Sequence, residues 1–394
     1  MSKLFTIAEI LAVNAPIAEA RGLPPRAFFD PTIYEAERQH VFFDGWCAVA
    51  FADRLRDSGV VMAFTFLDAP LLLVRQADNS VKLFHDLVPY DAAPLRFDAD
   101  RDILVGTYHG LEFGLDGKLI AAPFWDGHKD ASRAAVDSNE FDLIEIPCAQ
   151  WGSIIFANIA GNDPDGFARF VAPLDRALHW LDATRIAPAL RDDGTVMHWQ
   201  ATAAGNWKTH HENACMNVYH ENSVHEIYRA SPSIPRVSNG ERDYREINDG
   251  GLRGLAFSDA QAGDTYFPLP LPDLPRRGDS DRENVIVSLY PNLYYSVIGP
   301  HCHATIVSPV GPEQVELQSI NYFAEDSAIV ENAALAAMID AGWMQAVEED
   351  GRIIEAVQNG RRSPAAQPNH YAPFWDAGHH SFNQQILADL GESA

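Results

Sequence analysis

Between Asn206 and His225 the chain reads NWKTHHENACMNVYHENSVH, the densest concentration of metal-ligand side chains in its 394 residues. The run leading in from Asn206-Trp207-Lys208 through Glu212-Asn213 has the spacing of one continuous helix, and four residues separate His220 from His225. Positions four apart on a helix share a face, whereas positions five apart are turned by about 140°. The second histidine therefore belongs where the helix ends or distorts. Two neutral imidazoles leave a metal site incomplete, so a third ligand has to come from a distant part of the chain, and a carboxylate is the natural candidate. The competing reading is a solvated helix face that carries some of the chain's 15 histidines to no chemical purpose.

The order Glu212, Asn217, His220, His225 resembles the iron-binding signature of the Rieske non-heme iron oxygenases, the aromatic-ring-hydroxylating large subunits, which have an aspartate at the place of Asn217. The resemblance implies that His220 and His225 ligate mononuclear Fe(II). It also supplies the third ligand, because Glu349-Asp350, Glu355, Gln358 and Gly360 in EEDGRIIEAVQNG match the family's ED, E, Q and G phrase and make Asp350 the carboxylate. Taken without the family, Asp350 is a helix-surface acid like Glu348 and Glu349 beside it. Two imidazoles and a carboxylate leave coordination positions open, the arrangement of non-heme Fe(II) and O2 chemistry, whereas zinc in the same set would suggest hydrolysis. The family's aspartate at the Asn217 position hydrogen-bonds a ligand histidine and bridges to the cluster of a neighbouring subunit; asparagine keeps the hydrogen bond without the charge. Asn213 matches a pocket asparagine of the family and would contact substrate or hold the helix. Asn213 and Asn217 are the expected catalytic residues.

Upstream, APL (Ala93 to Leu95) and YHGLEFGLDGKL (Tyr108 to Leu119) resemble a Rieske domain, which uses C-x-H, roughly fifteen to seventeen residues, then C-x-x-H to hold a [2Fe–2S] centre. The matching positions here are Val88, Tyr90, Gly106 and His109, of which His109 alone is a Rieske ligand type. The expectation is a degenerate site, with the [2Fe–2S] cluster absent and His109 a structural residue in a hairpin. Elsewhere, His211 with Cys215 at i, i+4 could bind a metal, against the reading of Cys215 as a buried packing residue, and the two histidines of His301-Cys302-His303 share one face of a strand, where they line a pocket or form a surface pair.

The surrounding elements follow from periodicity. Asp30-Pro31 opens a helix over TIYEAERQHVFF, with proline suited to its first turn. Short strands follow from Trp46 to Ile159, separated by turn signals such as Asp78-Asn79 and Asp116-Gly117, which make an all-β domain. GNDPDG after Ile159 marks a junction. RFVAPLDRALHWLDATRI then reads as helix, VMHWQATA as a strand, residues 230 to 281 as loop or cover over a pocket, NVIVSLYPNLYYSVIG, HATIVSPV and VELQSINYFAED as strands, and Ser327 to Ser363 as a long helix. The expected class is α+β: a helical lead-in over 1–45 that packs on the catalytic domain, an all-β Rieske-like domain over 46–160, and a catalytic domain over 161–394 of the family's helix-grip, START-like fold.

Composition bounds the function. With 47% hydrophobic and 21% charged residues the chain is an ordinary globular protein, and a net charge of −26 argues against nucleic acid or an anionic membrane surface as partner. Glu9 interrupts the N-terminal apolar run, and the four cysteines form no C-x-x-C motif or dense framework, so a cytoplasmic protein with reduced thiols is expected. The resemblance implies an oxidoreductase: a Rieske-type mono- or dioxygenase component acting with O2 on a small hydrophobic or aromatic substrate. It also implies an electron-transfer partner, and a homotrimer or a hetero-oligomer with an intact oxygenase subunit. The alternatives are a non-catalytic companion of such a subunit and a redox-neutral His2Asp metalloenzyme.

Overall fold

The structure, a computed structural model, describes residues 3–128, 140–216, 218–226, 237–258, 271–279 and 281–392. The chain divides into two compact units, residues 49–164 and residues 1–48 with 165–394. The first is all-β and the second α+β, as expected. No described helix is long and apolar enough to cross a membrane.

In the all-β unit one four-stranded sheet contains Val61–Phe66, Ala69–Arg75, Val81–His85 and Glu145–Ile146, and another contains Leu95–Asp98, Ile103–Gly106, Glu112–Phe113 and Leu119–Ala121. Leu72, Val74 and Phe84 from the first sheet pack with Leu95, Leu104, Phe113 and Leu119 from the second in one core, the outcome expected when strands alternate an apolar face inward. The two predicted turns are present: Asn79 and Gly117 both take positive φ, 68° and 85°.

The α+β unit is built on an eight-stranded antiparallel sheet. Its order runs Ile186–Pro188, Gln314–Ala324, His301–Gly311, Leu293–Ile298, Asn284–Leu289, Leu252–Phe257, Arg245–Asp249, and His198–Ala204 also pairs with Gln314–Ala324. The helix Ala333–Arg361 spans 29 residues, capped by the Asn332 side chain on the Leu335 N–H. Two expectations need correction. The segment over 230 to 281 is not all loop: Arg245–Asp249 and Leu252–Phe257 are sheet strands, and Gly250-Gly251 between them is a two-residue hairpin turn after Asp249, which accounts for the loop-like composition. The predicted helix after the junction stops at Ala177, short of the Trp180 to Ile186 stretch.

The N-terminal segment belongs to this unit. Asp30 caps the helix Pro31–Glu37 by accepting from the Thr32 N–H, and a π turn, Arg38–Phe43, extends it. Glu37 at the join is fully buried and accepts hydrogen bonds from Lys208 Nζ at 2.6 Å and Trp207 Nε1 at 2.8 Å. Burial raises the Glu37 pKa and lowers that of Lys208, each opposed by the attraction of the other.

Removing one partner of a buried pair strands the other charge. Lys208→Met is expected to cost about 3–5 kcal/mol of stability in urea unfolding. Adding Glu37→Gln should recover most of that loss, because the glutamine oxygen still accepts from Trp207.

Candidate metal centre

The segment that carries the histidines is not one helix. Asn206 caps a short helix, Trp207–His211, by accepting from the Lys208 N–H at 3.0 Å. A π turn follows over Glu212–Met216, then a 3-10 turn over Val218–His220 and a short helix over Glu221–Val224. π turns interrupt a helix where something other than backbone pairing sets the geometry, and here Glu212, first in that turn, is held by tertiary ion pairs. His225 is extended, with φ −85° and ψ 124°, so the second histidine does stand where helix ends. Five residues of helix would have turned it away from His220; leaving the helix turns it back.

The imidazoles of His220 and His225 lie with centroids 5.5 Å apart. Each Nε2 faces Asp350 Oδ1, at 3.5 Å from His220 and 3.4 Å from His225. One ligand atom from each of the three residues fits within a span of 4.8 Å. Two donors each about 2.1 Å from an ion and subtending about 110° are about 3.4 Å apart, so the spacing suits a single ion between them. The donor set, two nitrogens and one oxygen, is that of a mononuclear non-heme iron site.

Neighbours fix these side chains. His225 Nδ1–H donates to Glu349 Oε2 at 3.0 Å, which makes Nε2 the nitrogen that carries the lone pair, on the side of Asp350. Asn213 Nδ2 lies 3.2 Å from Asp350 Oδ1 and 3.4 Å from His220 Nε2, so Asn213 touches the side chains of both residues. Glu349 was passed over as a surface acid; its signal was the acid dipeptide, whose two members point about 100° apart on a helix. Asn217 lies outside the described residues, as does the Cys215 side chain. His211 is instead buried against Phe382, stacked at 4.4 Å, with Ser288 Oγ 2.8 Å from its Nδ1.

The three residues open on a cavity of about 580 Å3. The lining residues of the long helix include Leu335, Ile339, Ala346, Asp350 and Ile354, whose spacing places Asp350 on the same stripe as these apolar side chains. Gly205, at φ 111°, lets the strand end pass so close that a Cβ there would sit 2.5 Å from Ile354 Cγ2. His301 and His303 line the same cavity and are buried, so the pocket reading of that pair holds and the surface reading does not.

The segment that carries the two histidines is locked to the long helix by Glu212. Its carboxylate meets Arg361 Nη2 at 3.0 Å and His379 Nε2 at 2.8 Å. Burial would raise its pKa, but His379 and Arg361 outweigh burial and hold it at about 2.

In the all-β unit, Val88 is buried in the core, and its Cγ2 stands 2.7 Å from where a Cβ on Gly106 would be. His109 is exposed, with Nδ1 2.6 Å from Asp91 Oδ2, and Tyr90 meets it edge-on at 5.2 Å.

Residues 190–392 match the family model of the ring hydroxylating alpha subunit (catalytic domain), and residues 45–131 that of the Rieske [2Fe-2S] domain. The chloroplastic choline monooxygenase of Amaranthus tricolor is 22% identical over 374 residues, covering 93% of this chain and 77% of that protein. The glycine betaine monooxygenase oxygenase subunit of Pseudomonas aeruginosa (strain UCBPP-PA14) is 22% identical over 405 residues, covering 95% and 91%. Among solved structures, the quaternary ammonium Rieske monooxygenase CntA in complex with L-carnitine superposes with a TM-score of 0.72 at 16% identity over 100% of both chains.

The expectation that the [2Fe–2S] cluster is absent is corrected by these matches: the Rieske [2Fe-2S] domain is found, and the relatives are Rieske oxygenases, which carry the cluster. That expectation rested on four side chains rather than on the domain. Val88, Tyr90, Gly106 and His109 offer one imidazole among them and do not fit as the cluster's ligand set.

The depressed pKa of Glu212 makes a pH prediction. A carboxyl whose folded pKa lies below its unfolded value contributes stability above the unfolded value, about 4.5, and loses it as pH falls through about 2. Glu212→Gln is therefore expected to be ~3 kcal/mol less stable than the native chain at neutral pH. The gap should close between about pH 4.5 and 2 in urea unfolding, and a gap that does not vary with pH would contradict the assignment.

Proposed function

Because the chain belongs to the ring hydroxylating alpha subunit family, we propose that it is an oxygenase component that holds Fe(II) at His220, His225 and Asp350 and oxidises a small organic molecule with O2. Electrons would come from a partner protein within a family-type oligomer. The observation that carries this reading is the convergence of two imidazoles and one carboxylate on a cavity large enough for a small molecule. Iron bound there would supply the activation of O2.

The chain's own residues do the rest. Glu349 holds His225 in the tautomer that presents Nε2, and Asn213 steadies the Asp350 carboxylate. Leu255, Ile286, Ile298, Leu335 and Ile339 line the cavity, an apolar wall that would hold a hydrophobic or aromatic substrate and keep water from the reacting atoms.

A second substrate reading, a quaternary ammonium compound, has a specific observation behind it. Glu221, Glu348 and Asp350 are among the described lining residues, no lysine or arginine is, and Trp199, Tyr294 and Trp343 add aromatic surface. A cation clothed in methyl groups suits acidic and aromatic walls. The names of the choline and glycine betaine relatives point the same way.

Metal analysis tests the site. His220→Ala, His225→Ala and Asp350→Ala should each strip most of the iron while circular dichroism stays unchanged, since a mononuclear site in a chain this long does not hold the core together. Glu349→Ala should keep the ligands but weaken iron retention against a chelator by roughly 10–100-fold. Full iron content in the Asp350 variant would remove that residue from the site.

A further inference from the structure

One wall of the cavity carries a hydrogen-bond chain that the iron ligands do not use. On the strand His301–Gly311, residues 301, 303 and 305 alternate onto one face, and on the partner strand His303 pairs with Asn321 and Thr305 with Ser319. Thr305, Ser319 and His303 line the cavity, and all of these side chains except Asp340 below are more than nine-tenths buried.

The direction of the chain follows from its far end. The Asp340 carboxylate accepts from Asn321 Nδ2, which turns Asn321 Oδ1 toward His303 Nδ1 at 2.8 Å. His303 must therefore donate from Nδ1 and accept at Nε2. Thr305 Oγ1–H donates to that Nε2 at 3.0 Å, and Ser319 Oγ–H to Thr305 Oγ1 at 2.7 Å. Both hydroxyl protons are committed inward, and the oxygens are left with lone pairs. Burial keeps His303 neutral, its pKa lowered to about 4, and Trp343 stacked on it at 4.2 Å closes its face.

We propose that Ser319 and Thr305 form a substrate-recognition subsite that accepts a hydrogen bond from a hydroxyl or N–H group of the molecule in the cavity. This rests on the reading of the cavity as the substrate site. The subsite selects for a donor: an ether or a carboxylate at the same position would meet lone pair with lone pair. Asp340, outside the cavity lining, is a positioning residue that sets the sense of the whole chain.

Calorimetry on the full iron-loaded chain tests it with two probe pairs that differ by a methyl on the donor: indole against N-methylindole, and choline against its methyl ether. For whichever body binds, the donor member is expected to bind about tenfold tighter. Ser319→Ala and Thr305→Val should abolish that preference, whereas Thr305→Ser, which keeps the hydroxyl, should retain it. Asp340→Asn should weaken it, because Asn321 can then turn over and reverse the chain. Equal affinities within a pair that binds overturn the subsite and leave the cavity reading standing. Heat from neither pair, with circular dichroism native, overturns both.

Discussion

The buried carboxylate of Glu212 is the constraint on which the centre depends. The segment that presents His220 and His225 is a succession of turns, none long enough to persist alone, since isolated helices below about 12–15 residues are marginal in water. Its geometry must come from tertiary ties. Glu212 binds Arg361 of the long helix and His379 of the helix Ala377–Asp389 at once. Gln358 adds a second tie: its Oε1 accepts from the Asn206 N–H, while its Nε2 donates to Phe28 O and Glu313 Oε2. The start of the ligand segment and the helix that carries Asp350 are thus fastened one turn apart, and the distance between imidazole and carboxylate follows.

The buried imidazoles of His210 and His301 on the cavity wall are kept neutral. Burial lowers the pKa of His301 to about 3 and of His210 to about 4, and each ring has a defined partner. His301 donates from Nδ1 to Ile298 O and accepts from Trp343 Nε1–H, and His210 donates to Ala204 O. A charged imidazole there would need a counter-ion in an apolar wall. Charge among the described lining residues is carried by carboxylates, so the cavity disfavours an anionic guest and leaves neutral and cationic ones.

Much of this was legible in the chain. Apolar runs, alternating or continuous and bounded by turn signals, marked many of the sheet strands, and the five-residue step from His220 to His225 was enough to require a break in the helix. The break itself was not legible as a π turn, because what causes it, Arg361 and His379 on Glu212, lies roughly 150 residues away. The strands Arg245–Asp249 and Leu252–Phe257 were hidden by their own turn, whose Asp and glycines look like loop. Asp350 came from the family phrase alone, although the inward stripe of Leu335, Ile339, Ala346 and Ile354 was present in the spacing. Val88, Tyr90 and Gly106 are single side chains, and the match of residues 45–131 to the Rieske [2Fe-2S] domain outweighs what they suggest alone.

The acid pair on the long helix shows why two adjacent carboxylates are needed. Neighbours on a helix point about 100° apart, so Glu349 and Asp350 cannot both reach the same ion. They can reach opposite edges of one imidazole, and they do: His225 Nδ1 is 3.0 Å from Glu349 Oε2, and His225 Nε2 is 3.4 Å from Asp350 Oδ1. Glu349 holds the ring at its Nδ1 edge, and the same turn of the 29-residue helix sets Asp350 opposite Nε2. Its tautomer and its distance from Asp350 are therefore set by the same rigid element. This matters most for His225, which has left its own helix and has no regular backbone to fix it.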